Sequence, residues 1–369
     1  MATRIPLVMV NGRIQQLQGG DTLSGASSVE LLSVMDARLT LTSGDPVAQA
    51  TAQSTLYYTP FRGNKIALYD GATWELHELA EISVAVPSTL FRMFDIFVYD
   101  NAGALTLETQ NWTQATGTIT GATNATPIVI TSVGHGLSDS DIVGIAGVGG
   151  NTAPNGFLWE IASVTADTFA LRGSVGSGAY TAGGTWYKVN GQSNSGLTTQ
   201  DGVLVDSGNT SKRYVGIGMT IGTSGQCTCS LARCWLQNLY NPVDHVMTYF
   251  DASSHTYAST TTRPWNGSGQ AQVSYLVCSG SPITEIGHCS PLILGSASTT
   301  QPSVGAGTEN IDTLNRYVAA TTSTSAERYS AVGFTEFTEG FHFTGVVEQN
   351  QGAGTGTYNQ VVFQLRIRR

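Results

Sequence analysis

The sequence predicts an all-β protein, with antiparallel strands stacked as a β-sandwich or jelly-roll. Composition is the first observation behind that expectation. Glycine makes up 43 of 369 residues, only 12% are charged, and lysine is confined to Lys65, Lys188 and Lys212. A chain rich in glycine, threonine and tyrosine, without long amphipathic runs, is a β protein with many loops. The second observation is the stretch TLYYTPFRGNKIALYDGATWELHEL, Thr55 to Leu79. Leu56, Tyr58, Ile66, Leu68, Trp74 and Leu76 fall there at period-2 positions that can line one buried face. Turn chemistry is the third. Arg62-Gly63-Asn64 and Asp70-Gly71 supply residues that tolerate positive φ, as tight hairpin loops require.

The chain reads as four pieces. Residues 1–30 hold two short strands, Ile5 to Val10 and Arg13 to Leu17, joined as a hairpin at Asn11-Gly12. An isolated hairpin is marginal in water, so this one must pair with something larger. Gly19, Gly20 and Gly25 then loosen the chain into a linker. Residues 31–115 are the first part of a β-sandwich. They carry ARLTLTSGDPV, the Thr55–Leu79 hairpins, EISVAVP, and a hairpin in which Phe94–Tyr99 and Leu105–Glu108 flank Asp100-Asn101-Ala102-Gly103. Val29 to Met35 is the one place where a short helix competes.

Residues 116–188 read as a small β-domain, with strands at Ile128–Ser132, Ile142–Ile145, Trp159–Val164 and Thr168–Leu171. Residues 189–369 supply the second part of the sandwich or jelly-roll. Asp201-Gly202 and Ser207-Gly208-Asn209 are turns there, and Val203–Asp206, Arg213–Ile217 and Ala271–Val277 are strands. FTEFTEGFHFTGVVEQ and the closing QVVFQLRIRR alternate strongly. In the latter, Val362, Gln364, Arg366 and Arg368 share one face against Val361, Phe363, Leu365 and Ile367, the pattern of an antiparallel strand with one polar face.

Several of these stretches resemble tailed-bacteriophage virion proteins of the tail-fibre, head-spike and decoration type. The Thr55–Leu79 stretch and TTQDGVLVDSGNTSKRYVG, Thr198 to Gly216, carry the resemblance most specifically, and LQNLYNPV supports it. IPLVMVNGRIQQLQGGDTL is similar to the leading segment of many such proteins. The G-H-G-L, G-V-x-G-N-T-A-x-N-G and T-F-x-L pattern within 116–188 resembles a small domain scattered through phage tail proteins. The text before it, LETQNWTQ, and after it, LTTQDGVLVDSG, resembles one continuous stretch in relatives, which makes 116–188 an insertion. The resemblance implies a homotrimer assembled in the host cytoplasm and localised to the virion. It also implies contacts with capsid, portal or tail proteins through an N-terminal attachment segment bearing Ile5, Leu7, Val8, Val10, Ile14 and Leu17. The cysteines and the Ser/Thr/Gly tract from Gly295 to Thr308 depart from the family pattern.

Other classes are disfavoured. A net charge of −9 argues against nucleic acid as partner, since phosphate neutralisation needs a basic surface. No uninterrupted apolar run approaches the ~18 residues of a membrane span. The apolar run Ile5 to Val10 lacks a cleavage site of small residues, so no secretory signal is expected. The five cysteines include Cys227, Cys229 and Cys234 in a C-x-C-x4-C spacing that suits zinc poorly. Reduced thiols packed as small hydrophobes are the expectation, with a structural metal or disulfides as alternatives.

Catalytic chemistry is sparse. Glycan cleavage needs two carboxylates across a cleft, and the candidates are Glu336 and Glu339, with Glu348 beyond. A polar strand face accounts for them as well. Asp139-x-Asp141 would point two carboxylates to one strand face, as a calcium site wants, but a solvated loop after Gly136 is the plainer reading. Asp244-His245 are neighbours on opposite strand faces, and no serine or cysteine is placed beside them. His77, His135, His255, His288 and His342 are scattered, and Gly144 to Gly150 lacks the Lys-Ser/Thr of a phosphate loop. No catalytic residue, metal or cofactor is therefore expected.

What rises above background lies between Trp235 and Trp265, where Tyr240, Tyr249, Phe250 and Tyr257 are interleaved with amides and Arg263. Such a set suits carbohydrate stacking, and equally burial in the core or between subunits. Trp235, Tyr240, Tyr257 and Trp265 are the glycan candidates. Arg213, Arg233 and Arg263 are candidates for bidentate pairs across a trimer seam. The leading expectation is a non-enzymatic virion structural protein; a host-glycan receptor binder and a depolymerase using Glu336 or Glu339 are the alternatives.

Overall fold

The computed structural model describes residues 7–10, 13–16, 32–194, 196–280, 286–294, 298–306, 318–319, 327–328, 331–333, 339–350 and 355–369. Regular structure among them is almost entirely β-strand, in antiparallel sheets packed as a sandwich, as the composition and turns predict. No described helix is long and apolar enough to cross a membrane.

The central sheet runs Ala104–Asn111, Met93–Asn101, Arg213–Met219, Val203–Asp206, Leu197–Gln200, with Leu236–Asn238 also paired to Arg213–Met219. The hairpin expected at Asp100–Gly103 forms, with Leu105 opposite Asp100. Met93–Asn101 pairs directly with Arg213–Met219, so the segments flanking 116–188 are neighbours in one sheet. Both faces of Met93–Asn101 are covered. Phe94, Ile96 and Val98 enter one core with Leu39, Leu56 and Tyr58; Met93 and Phe97 enter another with Tyr214, Leu276 and Phe343. Burial on both sides is why MFDIFV reads as an apolar run without alternation. Asn238 ties a further layer to this sheet. Its side chain accepts from Leu39 N at 2.6 Å and donates to Leu39 O at 3.2 Å, standing in for a strand partner.

A second sheet is ordered Ser298–Ala306, Gly340–Asn350, Gln272–Val277, Arg233–Cys234, Cys227–Cys229, Ala50–Gln53. One of its pairings is parallel, between Arg233–Cys234 and Gln272–Val277. In a third sheet Gly356–Arg368 lies between Asp244–Asp251 and Ile286–Leu294. The polar face expected for the last strand is present: Gln364, Arg366 and Arg368 are exposed while Val361, Phe363, Leu365 and Ile367 are buried. Residues 116–188 form a seven-stranded sheet with a core of their own around Ile130, Val143, Trp159, Phe169 and Trp186. Gly144 lies at its contact with the sandwich, where the Phe91 ring occupies the space a Cβ would need.

The Thr55–Leu79 stretch departs from the expected pair of hairpins. Its second turn is one: Tyr69 lies opposite Trp74, Gly71 has φ +105°, and Asp70 caps the loop by accepting from Ala72 N at 2.7 Å. The first is not. Thr55–Pro60 pairs with Ala37–Thr40 and Ile82–Ala85, whereas Lys65–Tyr69 pairs with Trp74–Glu78. The segment at Asp36 separates them, taking Phe61 N and Arg62 N on its carbonyl and donating to Lys65 O. Gly63 accordingly needs no positive φ; what it provides is room for the Asp36 carboxylate. Leu56, Tyr58, Ile66 and Leu68 are buried as expected, but Trp74 is half-buried and Leu76 is 48% exposed. They sit on the outer strand of a two-stranded sheet, where Trp74 packs its ring on Arg213 and donates from Nε1 to Asp201, and Leu76 faces solvent.

At the N-terminal side, Leu7–Val10 and Arg13–Gln16 pair antiparallel, with Val10 opposite Arg13. Ile5 and Leu17 lie outside the described residues, as does Glu336. Of the competing helix at Val29 to Met35, residues 29–31 also lie outside; Leu32 is helical, and Met35 bridges Ile66 as an isolated β pair.

Candidate functional site

The six residues expected to bind fall in three separate places. Arg213 and Tyr240 form the first. Arg213 is 1% exposed and donates to Ala67 O at 2.7 Å, to Leu32 O at 2.5 Å and to the Tyr240 hydroxyl at 3.2 Å. The rings of Tyr240 and Trp74 flank its guanidinium at 4.8 and 5.3 Å. Both residues border a cleft of about 440 Å3, together with Leu204, Leu239 and Ser279. The arginine's donors are already taken by the chain's own carbonyls, so it positions the Tyr69–Trp74 hairpin against the central sheet.

Tyr257, Trp265 and Arg263 meet at the second place, around a carboxylate that sequence reasoning assigned to a polar strand face. Glu348 is in fact fully buried: its Oε1 accepts from Arg263 Nε at 2.7 Å, and its Oε2 lies 2.5 Å from His255 Nε2. Strand register accounts for it, since Arg263 lies directly opposite Glu348. The Arg263 guanidinium stacks 3.8 Å from the Tyr257 ring. His255 stacks on Tyr358 and meets Trp265 edge-on at 5.0 Å, while Trp265 Nε1 donates to Asp251 at 3.0 Å. A carboxylate with both oxygens engaged by cationic or donating partners is a structural clamp.

Trp235 marks the third place, a partly enclosed cavity of about 100 Å3 lined also by Leu158, Arg233, Tyr249, Gln272 and Ser274. Its ring is 1% exposed and its Nε1 donates to Ser274 Oγ at 2.9 Å. Arg233 lies over the Trp235 ring at 5.7 Å and the Phe157 ring at 5.5 Å. Burial pushes the Tyr249 phenol up to about 12, with Asp251 adding to the shift, and lowers the Arg233 guanidinium from its ordinary value. Neither Trp235 nor Trp265 presents a ring face to solvent. Both are core residues, and the pairings of Arg213 and Arg263 are made within the chain.

The remaining candidates are also redistributed. Asp139 and Asp141 do not share a strand face. Asp139 accepts from Val164 N, and Asp141 is buried, taking Lys188 Nζ at 2.8 Å and Asn190 Nδ2 at 3.2 Å. Asp244 pairs with Arg366 on the surface, while His245 is buried beside Ser230 O and its pKa falls to about 4 through burial and the Arg369 charge. Glu339 is pushed up to about 7 by burial and by the neighbouring Asp95 charge. A carboxyl held protonated beside a second carboxylate suits general acid catalysis. Asp95, however, is 0% exposed, inside the core between the first two sheets, where no glycosidic bond reaches it.

Cysteine chemistry differs from the expected set of thiols. Cys229 and Cys234 are joined as a disulfide between adjacent strands, where register sets them opposite each other. Cys227 and Cys278 are free and buried, and the Cys289 side chain lies outside the described residues. Cys229, Cys234 and His245 present ligand atoms within 4.8 Å of one another. Bonded sulfurs offer no thiolate, and Arg369 Nη1 stands 3.1 Å from Cys229 Sγ, which disfavours a cation there.

No protein-family model and no curated protein matches this chain. Among solved structures it is similar to the VP2 subviral particle of infectious bursal disease virus, at 7% identity and a TM-score of 0.26 over 90% of this chain and 68% of that one. Latent PorU from Porphyromonas gingivalis aligns at 8% identity and a TM-score of 0.23, over 70% of this chain and 24% of that one. The insecticidal delta-endotoxin Cry8Ea1 from Bacillus thuringiensis aligns at 6% identity and a TM-score of 0.22, over 90% and 51%. TM-scores this far below 0.5 carry no argument about function.

Proposed function

We propose that this chain is a non-enzymatic structural component of a tailed-phage virion, a homotrimeric fibre, spike or decoration protein attached to the particle through its N-terminal hairpin. One observation carries the reading: the segments that resemble such proteins most specifically, Thr55–Leu79 and Thr198–Gly216, supply Leu56, Tyr58, Ile66, Leu68 and Val215 to the main core of the sandwich. Low charge, dense strand pairing and buried side-chain clamps suit a projection that must resist proteases.

Trimerisation has support of its own. Val246 and Phe250, 45% and 56% exposed, lie on the outer strand of the third sheet beside Leu231 at 51%. An exposed apolar strip on a sheet edge calls for a neighbouring copy to cover it. Multi-angle light scattering of the purified protein should give three times the 38.8 kDa chain mass; a monomer at micromolar concentration ends the trimer. Negative-stain imaging of particles with a tag-specific label should place the protein on the head or the tail. Intact particles that never take the label overturn the virion role.

A further inference from the structure

Three buried side chains able to ligate a metal converge where the second sheet meets the third. Cys229 and Cys234 face each other across adjacent strands of the second sheet, and His245 reaches them from the third. Burial alternates at the start of Asp244–Asp251, so His245 and Met247 point inwards while Asp244 and Val246 face solvent. A His245 ring nitrogen and both sulfurs thereby lie within 4.8 Å of one another. The cysteine spacing that suits zinc poorly in sequence changes once Cys227 is set aside. Its thiol is turned to Trp235 O, which leaves the pair Cys229-x4-Cys234 with His245 following. A C-x4-C pair completed by a histidine is ordinary zinc spacing.

A tetrahedral zinc ion, with bonds of about 2.3 Å to sulfur and about 2.0 Å to nitrogen, sets its ligand atoms about 3.5–3.8 Å apart. Side-chain displacements of about 1 Å bring these atoms there once the sulfurs are free. The surroundings already suit a ligating imidazole. Ser230 O stands 3.0 Å from His245 Nε2 and accepts its proton, which orients the ring and leaves Nδ1 as the ligand. Gln49 is exposed and its Nε2 lies 3.5 Å from that Nδ1, which marks the side from which a water completes four ligands.

Arg369 supplies the independent sign. Its guanidinium is buried, Nη1 lies 3.1 Å from Cys229 Sγ, Nε has no hydrogen-bond partner, and no carboxylate hydrogen-bonds it among the described residues. A bonded sulfur is a neutral, poor acceptor for such a cation, whereas a thiolate is its proper counter-ion. The group that opposes a metal at the disulfide therefore favours the two thiolates that neutralise a divalent ion.

We propose that Cys229, Cys234 and His245 bind one zinc-type divalent cation when their disulfide is reduced. Reduction opens the site. The S–S bond breaks, each sulfur gains one electron and one proton, and the reductant leaves as a disulfide if it is a dithiol, or as a phosphine oxide with oxygen and protons drawn from water. The metal then displaces both thiol protons. The disulfide joins neighbouring strands of one sheet, whereas the metal ties that sheet to the third through His245. This site does not depend on the virion role. The whole chain, reduced anaerobically with a phosphine and stripped with a chelator, should bind one Co2+ with the visible bands of tetrahedral cobalt and a thiolate charge-transfer band. Zn2+ should displace the cobalt and raise the melting temperature of the reduced chain, and the oxidised chain should show neither effect. Cys234→Ser and His245→Ala should each weaken zinc binding by more than the about 10–100-fold that loss of an outer-shell partner costs, while Cys227→Ala keeps the cobalt bands. If Cys234→Ser fails to fold, His245→Ala and the zinc-dependent melting of the native sequence carry the test. A reduced chain without tetrahedral cobalt bands, an oxidised chain that binds equally well, or affinity unchanged in His245→Ala would overturn the site.

Discussion

Glu348→Ala tests whether the buried charge cluster holds the second and third sheets together. The carboxylate is 0% exposed, with Arg263 Nε at 2.7 Å on one oxygen and His255 Nε2 at 2.5 Å on the other. Hydrogen bonds to charged groups contribute about 1.5–3 kcal/mol each, and breaking a buried pair typically costs 3–5 kcal/mol. The Arg263 side chain is 31% exposed and keeps its Tyr257 stack, so part of the orphaned charge can rehydrate. The expected loss is therefore near the lower end, about 3 kcal/mol. Glu348→Gln, which keeps the shape and loses the charge, should cost about half of that. Urea unfolding followed by tryptophan fluorescence suits the measurement, because Trp265 packs against His255. A double-mutant cycle with Arg263→Ala should return a coupling of about 1–3 kcal/mol. A loss under about 1 kcal/mol in Glu348→Ala, or a coupling near zero, refutes the clamp.

Arg213→Ala should cost about 3 kcal/mol, since it strands two carbonyls and the Tyr240 hydroxyl, yet leave the oligomeric mass unchanged because every partner is within the chain. Unchanged thermal stability would remove Arg213 from the account. Glu339 titrates near 7 in the fold against 4.5 ordinarily, so the fold favours the protonated acid. Its stabilising contribution is complete below 4.5 and is lost as pH rises towards 7. Glu339→Gln should therefore gain on the native chain in urea midpoint between about pH 5 and pH 8, and parallel profiles would contradict the burial. Reducing Cys229–Cys234, which closes a loop with a separation of 5 residues, should remove about 2 kcal/mol on the loop-entropy account. Melting curves with and without a phosphine reductant check it, and a free-thiol count that shows no disulfide in the purified protein would correct the pairing.

Much of the secondary structure was legible because strand and turn signals are local. The Asp100–Gly103 turn and the four strands expected within 116–188 lie within a residue or two of where period-2 patterning puts them, and the two-faced closing strand is present but starts at Gly356, four residues before the expected QVVFQLRIRR. The candidate site was far less legible. Aromatic clustering drew attention to Trp235 and Trp265, but a tryptophan that stacks on a ligand and one that fills a core have the same sequence signature. Glu348 read as solvent-facing because its strand alternates; sheets on both sides bury it, and Arg263 and His255 approach from segments some ninety residues earlier.

Alternating apolar residues, Asn-Gly and Asp-Gly turns, and low charge determined by themselves that this chain pairs extended segments into antiparallel layers. Which segments pair, and which faces end up dry, was decided only when the layers met. Thr55–Pro60 and Lys65–Tyr69 part company because the segment at Asp36 takes the backbone groups that a hairpin would have used. The period of a strand is written in adjacent residues; the partner across a layer is set by packing between residues far apart in the chain, which no local pattern encodes.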